Sequence, residues 1–335
     1  MQNPKVSICI PFKDTAHFLP ECLDSILNQT YQNWEILAVN DHSSDHSFEV
    51  LNSYTEKDSR IKVFNNVGVG IIPALRTAYA QSSGEFITRM DSDDIMKPNR
   101  LEVMVNSLLA SGKWHVAVGQ VHYFSDRGIS NGYERYEAWL NQLTATGDNY
   151  SEIYKECVIP SPCWMVYRED FEACGAFRPD KYPEDYDLTF RFYEKGLKII
   201  PCDEVLHLWR DYDTRTSRTH EHYAQNYFLD IKLHYFLKLD FDENRPLAIW
   251  GAGFKGKTIA QKLLEQQIDF TWLCDNPKKI GKKIYGVELV HFKALKDLDN
   301  PQSIITVANE DAQKEIRAHF KGLKQQPMHD YFFFC

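Results

Sequence analysis

From Val6 to Asp91 the chain alternates short apolar runs with helical stripes, and that alternation leaves few folds open. Val6–Phe12, Trp34–Val39, Ile61–Phe64 and the run ending at Asp91 have the length and the β-branched or aromatic content of strands. Between them, Leu19, Cys22, Leu23, Ile26 and Leu27 recur at helical spacing within Phe18–Gln29, and Phe48, Val50, Leu51 and Tyr54 do so after Asp45. Ser44 or Asp45 is the expected N-cap of that second helix. A third runs through Leu75 to Ala80, entered from Val67-Gly-Val-Gly70. This order predicts a mostly parallel sheet with helices on both faces. Ligands of such sheets collect beyond the carboxyl ends of the strands. Phe12–Asp14, Asp41 and Asp91–Asp94 all lie at such ends, although far apart in sequence.

Two acidic elements stand out. Asp91-Ser-Asp93-Asp94 places three carboxylates in four residues at the end of an apolar strand, ahead of Pro98 and a helix starting near Arg100. Crowded carboxylates repel, and a hard divalent cation such as Mg²⁺ or Mn²⁺, holding a diphosphate, relieves the repulsion. An acidic, solvated turn has the same composition, so the wider chain must decide. Glu184-Asp185-Tyr186-Asp187, behind Pro183, reads as the first turn of a helix reaching Gly196, where acids complement the helix dipole. Asp187 and Arg191, four apart, read as an ion pair.

A net charge of -9 removes the basic footprint that nucleic acid requires. The eight cysteines show no C-x-x-C spacing, so neither zinc nor a disulfide framework is indicated. No apolar run approaches the ~20 residues of a membrane span. The N-terminus reaches a strand without a signal-peptide layout. A reduced, cytoplasmic protein is expected.

VSICIPFKD, an aliphatic strand ending in N-D-H-S-S-D, and GEFITRMDSDD-x-x-x-P-x-R-L together resemble the family 2 glycosyltransferases of GT-A fold, over roughly residues 4–215. The resemblance implies an α/β nucleotide-diphospho-sugar transferase domain over residues 1–240. It implies inverting transfer of a sugar from a nucleoside-diphosphate donor, most commonly UDP-linked, to an acceptor hydroxyl. It places the donor nucleotide against Pro11, Phe12, Asp14, Asp41, Arg89, Asp91 and Ser92, and the metal, Mn²⁺ or Mg²⁺, on Asp91 and Asp93. Asp185 becomes the base, Glu184 an acceptor or supporting group, and Arg210, Arg218 and His220 candidates for the diphosphate in a charged, flexible-looking loop. Asn40 and His42 depart from the family pattern of Asp and Gly, which blurs base specificity. The acceptor is a glycan, a lipid-linked or another hydroxyl in surface polysaccharide or glycoconjugate synthesis, with room for peripheral association at the inner face of a membrane. The aromatic stretch 124–157 either lines that acceptor or packs a surface helix.

After a polar hinge, Asp240–Pro246, a second domain is expected over 245–335. Leu247–Trp250 meets Gly251-Ala-Gly253-Phe-Lys-Gly256, with Asp275 at the end of the next strand, as in a dinucleotide-binding βαβ unit. Ninety or so residues make only half of such a domain, so a Rossmann-like appendage with a structural, regulatory or homo-oligomerising role is expected, and NAD is not. Two other readings stay open. A non-catalytic nucleotide-sugar binder would need Asp41 and Asp93 but not Asp185, and an NAD-linked sugar-nucleotide oxidoreductase would use the Gly251 turn. A nucleotidyltransferase needs a Gly-rich basic first loop, which Phe12-Lys-Asp-Thr-Ala is not.

Overall fold

In the computed structural model the described residues are 3–215 and 228–335; Arg218, His220 and the first residues of the helix expected from His222 lie outside them. The described chain divides into two compact units, one of 3–149 with Val158–Arg215, the other of Tyr150–Cys157 with 228–335.

The first unit carries an eight-stranded sheet. β1 (Val6–Phe12), β2 (Trp34–Asn40), β3 (Ile61–Asn65) and β4 (Phe86–Arg89) are parallel in the order β3-β2-β1-β4. They are joined by α1 (Leu19–Leu27), α2 (Ser47–Thr55) and α3 (Ile71–Ala80). β1 is buried along its whole length, which is why it reads as an apolar run interrupted only by Ser7, whose hydroxyl donates to Glu35. Register pairs Phe12 with Asn40 and Asn40 with Asn65, so these three strands end level and their loops emerge together.

Beyond β4 the sheet is mixed. β7 (Trp164–Tyr167) runs antiparallel to β4 and to β6 (His115–Phe124), β8 (Lys198–Arg210) runs parallel to β6, and the short β5 (Ile95–Met96) pairs antiparallel with β8. α4 (Arg100–Ser111), α5 (Asn131–Thr146), α6 (Arg168–Ala173) and α7 (Glu184–Glu194) complete the unit.

Two local expectations change, and a third stretch takes one of the two forms expected of it. Trp209 and Arg210 close the long strand β8 rather than opening a flexible loop, because Leu206, His207 and Trp209 are buried along it. α2 is capped by neither Ser44 nor Asp45: His46 holds the N-cap position, and Asp45 instead accepts from the Ser47 N–H and hydroxyl. The stretch 124–157 contains the packed helix that is one of its two readings, α5, tied to β6 by Asn141 on the Val121 backbone and Glu137 on the Tyr123 N–H, with Tyr133 against Tyr123.

The second unit has a six-stranded sheet in the order β11-β12-β10-β9-β13-β14. β9 (Leu247–Trp250), β10 (Thr271–Cys274), β12 (Val287–His291), β13 (Gln302–Ile305) and β14 (Tyr331–Phe333) are parallel, and only the edge strand β11 (Lys283–Ile284) is antiparallel. The helices are α8 (Leu229–Leu239), α9 (Phe254–Glu265) and α10 (Glu310–Gly322). α8 groups here because Phe236 packs on Phe332 and Phe334. Tyr154 explains the outlying segment: its buried ring stacks on Phe334 at 5.4 Å and its hydroxyl donates to Asp240 at 2.5 Å. No helix among the described residues is long and apolar enough to cross a membrane.

Candidate active site

At the level ends of β1 to β3, the loops are bound to one another by backbone and short side chains. The Asp41 N–H donates to the Phe12 carbonyl at 2.8 Å, and Asn66 N–H to Asn40 O at 2.9 Å. Asp14 Oδ1 accepts from the Ser44 N–H at 2.6 Å, the Ser44 hydroxyl and the Asp45 N–H. Thr15 takes Ser47 Oγ on its N–H and shares a buried 3.0 Å hydrogen bond with Ser92, joining this corner to the acidic strand end. Asp41 is buried, its carboxylate fixed by the Gly70 N–H (2.9 and 3.0 Å) and by Asn66 Nδ2 at 2.7 Å. Held this way it is a rigid acceptor, suited to an N–H on a ligand. Pro11 and Phe12 are themselves buried. His42 accommodates the turn at φ 58° and bonds Gly68 O at 2.7 Å.

The three carboxylates of the strand end have three different fates. Asp91 Oδ1 accepts from Arg89 Nε at 3.0 Å and Nη2 at 2.9 Å. Asp94 faces inward, accepting from the Arg210 N–H at 2.8 Å and meeting His207 Nε2 at 2.9 Å. The other nitrogen of His207, Nδ1, lies 3.1 Å from Arg100 Nη1. A guanidinium only donates, so Nδ1 accepts and Nε2 carries the proton given to Asp94. Burial and the Arg100 charge push the His207 pKa well below its ordinary value, in keeping with a neutral ring. Asp93 accepts from the Tyr212 hydroxyl at 2.8 Å. Burial first, then Asp94 and Asp91, lift its pKa to about 7, against the opposing pull of Arg215.

Arg210 reaches this corner as a clamp. Its Nε donates to Asp93 O at 2.7 Å and Nη2 to Glu21 at 2.5 Å, while the guanidinium lies over Phe18 and Phe124. Arg215 lies over Trp209 and Tyr123. Arg100, His207, Tyr212 and Arg215 were not singled out from sequence. Arg100 is the arginine of the P-x-R-L segment, a signal that was there to be used; His207 looks like any polar residue in an alternating strand.

Arg89 connects the two acidic elements. Besides Asp91 it binds Glu184 Oε1 through Nη1 at 2.7 Å, in a nearly buried ion-pair bridge. Asp185, next along the first turn of α7, accepts the Tyr186 N–H at 2.8 Å. Burial, then Glu184, raise the Asp185 carboxyl to about 7, while Arg89 holds it down. Asp187 and Arg191 pair at 2.7 Å as expected, with Asp187 2% exposed.

No cluster of three or more His, Cys, Asp and Glu side chains among the described residues could hold a metal ion. The chemistry of the donors nonetheless fits a hard divalent cation on Asp93. A carboxylate crowded by like charge gains from a cation, and phosphate oxygens can complete its shell.

In the second unit Gly251 and Gly256 serve close packing. Gly251 holds φ 123°, and a Cβ on Gly256 would lie 2.1 Å from Gly251 O. Trp272 Nε1 and Lys279 Nζ bond the carbonyls of Gly251 and Ala252 at 2.9 Å each. Gly253 and Asp275 are exposed. Gly256→Ala should therefore destabilise this unit by roughly 1–3 kcal/mol, the range of overpacking. A melt of the second unit unchanged by the substitution would show that the helix does not need this contact.

Comparison with known proteins follows the same lines. The profile described as Glycosyl transferase family 2 matches residues 7–175. Glycosyltransferase GlyA of Streptococcus pneumoniae is 33% identical over 214 residues, 62% of this chain but only 31% of GlyA. The UDP-Glc:alpha-D-GlcNAc-diphosphoundecaprenol beta-1,3-glucosyltransferase WfgD of Escherichia coli is 30% identical over 258 residues, 74% of this chain and 90% of WfgD. In fold, the chain resembles S. aureus TarS 1-349 in complex with UDP-GlcNAc, with a TM-score of 0.55 at 17% identity over 78% of this chain and 72% of that one. The match over half the chain and the two linked acidic elements lead to one assignment: the chain belongs to glycosyl transferase family 2.

Proposed function

We propose that this protein is an inverting glycosyltransferase that moves a sugar from a UDP-linked donor to an acceptor hydroxyl, with Mn²⁺ or Mg²⁺, in surface polysaccharide or glycoconjugate synthesis. The observation that carries this reading is the bridge Asp91–Arg89–Glu184, which ties the acid-rich strand end to the helix turn bearing Asp185. Transfer requires a departing diphosphate on one side and a proton acceptor on the other, and the bridge holds a candidate for each on one frame. The names of WfgD and of the TarS complex, both with UDP-sugars, support the choice of donor.

In this reading Asp41 receives an N–H of the nucleobase, and Arg89 keeps Asp91 and Glu184 in fixed orientation. Asp93 would hold the cation, which supplies charge stabilisation for the departing diphosphate. Asp185 takes the proton of the acceptor hydroxyl as that oxygen bonds to the anomeric carbon. The acceptor is a glycan or lipid-linked hydroxyl reached from the cytoplasm. For the second unit we propose a structural or oligomerising role, without redox chemistry.

Thermal melting with nucleotide sugars tests the donor and the metal together. UDP-sugars in Mn²⁺ should raise the melting temperature, by a free energy of about 2.7 kcal/mol at a concentration of 100 Kd. EDTA should abolish most of that rise. A chain stabilised by no nucleotide sugar, or by NADH instead, overturns the reading.

A further inference from the structure

The chain Arg100–His207–Asp94 is buried throughout, each side chain at most 1% exposed. Arg100 Nη2 also donates to Thr88 Oγ1 at 3.1 Å and to Arg89 O at 3.2 Å, so the network grips the end of β4. At its other end Asp94 holds the Arg210 N–H, and Arg210 in turn holds Asp93 O. One imidazole thus joins the strand that leads into the acidic motif to the strand that folds over it.

We propose that His207 is a positioning residue that decides which of the two adjacent carboxylates, Asp93 or Asp94, faces the donor diphosphate. Burying a charged group is costly unless every partner is in place, and a core of this size could be apolar. Here the Nε2–H keeps Asp94 turned inward, and the backbone register it enforces leaves Asp93 beside Tyr212 at the loop edge. Without that donor Asp94 loses its inward partner, the clamp on Asp93 O slackens, and the cation-holding carboxylate is no longer defined. The inference rests on the proposed metal role of Asp93.

Two near-isosteres separate the effect from a general loss of structure. His207→Gln places an amide N–H where Nε2 stands and keeps donation to Asp94. His207→Asn places its amide where Nδ1 stands, keeping an acceptor for Arg100 but leaving Asp94 without the donor. Calorimetric titration of Mn²⁺ into UDP-saturated full-length protein, with melting curves beside it, reads the outcome. His207→Asn should weaken Mn²⁺ binding by roughly 10–100-fold, the usual cost of losing an outer support of a metal ligand. His207→Gln should stay within about threefold of wild type, on the same scale, and UDP affinity without metal should be alike in all three. If Asn and Gln weaken Mn²⁺ binding equally, or neither does while the wild type binds Mn²⁺ with UDP, the positioning role is overturned. If the wild type binds UDP identically with and without Mn²⁺, the metal role of Asp93 falls and the inference with it.

Discussion

Asp185→Asn should lower turnover by roughly two to four orders of magnitude, the range for loss of a general base, while leaving donor affinity nearly intact. The substitution keeps size and much of the polarity but cannot accept the acceptor's proton. At the first turn of α7, Asp185 is oriented by the Tyr186 N–H, and burial together with Glu184 raises its pKa to about 7. A base must be ionised, so wild-type kcat/KM, which follows the free enzyme, should fall as pH drops through about 7, and the Asn variant should lose that limb. The sign for stability runs the other way. A carboxylate whose folded pKa lies above its unfolded value weakens the fold where it is ionised, and that effect is complete above the folded pKa. Asp185→Asn should therefore melt no lower than wild type at pH 8. Asp187→Asn is the control. It breaks a buried pair with Arg191, so it should lower the melting temperature while leaving kcat per folded molecule near wild type. Sugar transfer by Asp185→Asn at the wild-type rate would move the base elsewhere, first to Glu184.

The second large effect is expected at Asp93. Asp93→Asn should weaken donor binding in Mn²⁺ by roughly 100-fold, at least the 10–100-fold cost of losing an outer support of a metal ligand, with little change in EDTA. Asn can still accept from the Tyr212 hydroxyl, so the loop edge keeps its hydrogen bond. The ionised Asp93 is disfavoured by burial and by Asp94 and Asp91, so the neutral amide should not destabilise the fold. Calorimetry with UDP, with and without EDTA, separates metal-linked from metal-free affinity. An unchanged metal-dependent affinity in Asp93→Asn would exclude this carboxylate as the cation holder.

The succession of short apolar runs and period-3.6 segments was enough to specify the parallel half of the first sheet, because strands covered on both faces are apolar along most of their length, as β1 is apart from Ser7. It was also enough to bring Asp14, Asp41 and Asp91–Asp94 to one edge, since parallel strands joined by helices all end on the same side. The acid at the first turn of α7 was legible from Pro183 and the Glu-Asp pair for a similar local reason.

Partner choice was not legible in this way. That Arg89 binds both Asp91 and Glu184, 95 residues apart from it in the second case, follows from β4 and α7 meeting in space, and no local pattern encodes that meeting. Nor does the row of three carboxylates say that Asp94 turns inward to His207, 113 residues away, and Asp93 to Tyr212, 119 residues away. The second-unit glycines show the same division. Their spacing follows from a tight strand–helix turn, whereas the 2.1 Å that a Cβ on Gly256 would leave to Gly251 O is set by how closely α9 crosses β9. For β1 to β4 and the helices between them, sequence by itself determined which elements form and at which edge the acids gather, because those depend on short-range geometry and burial. Tertiary structure alone decided which charge each acid meets, because that depends on separations of a few ångströms between distant segments, and Coulomb energy varies steeply at that range.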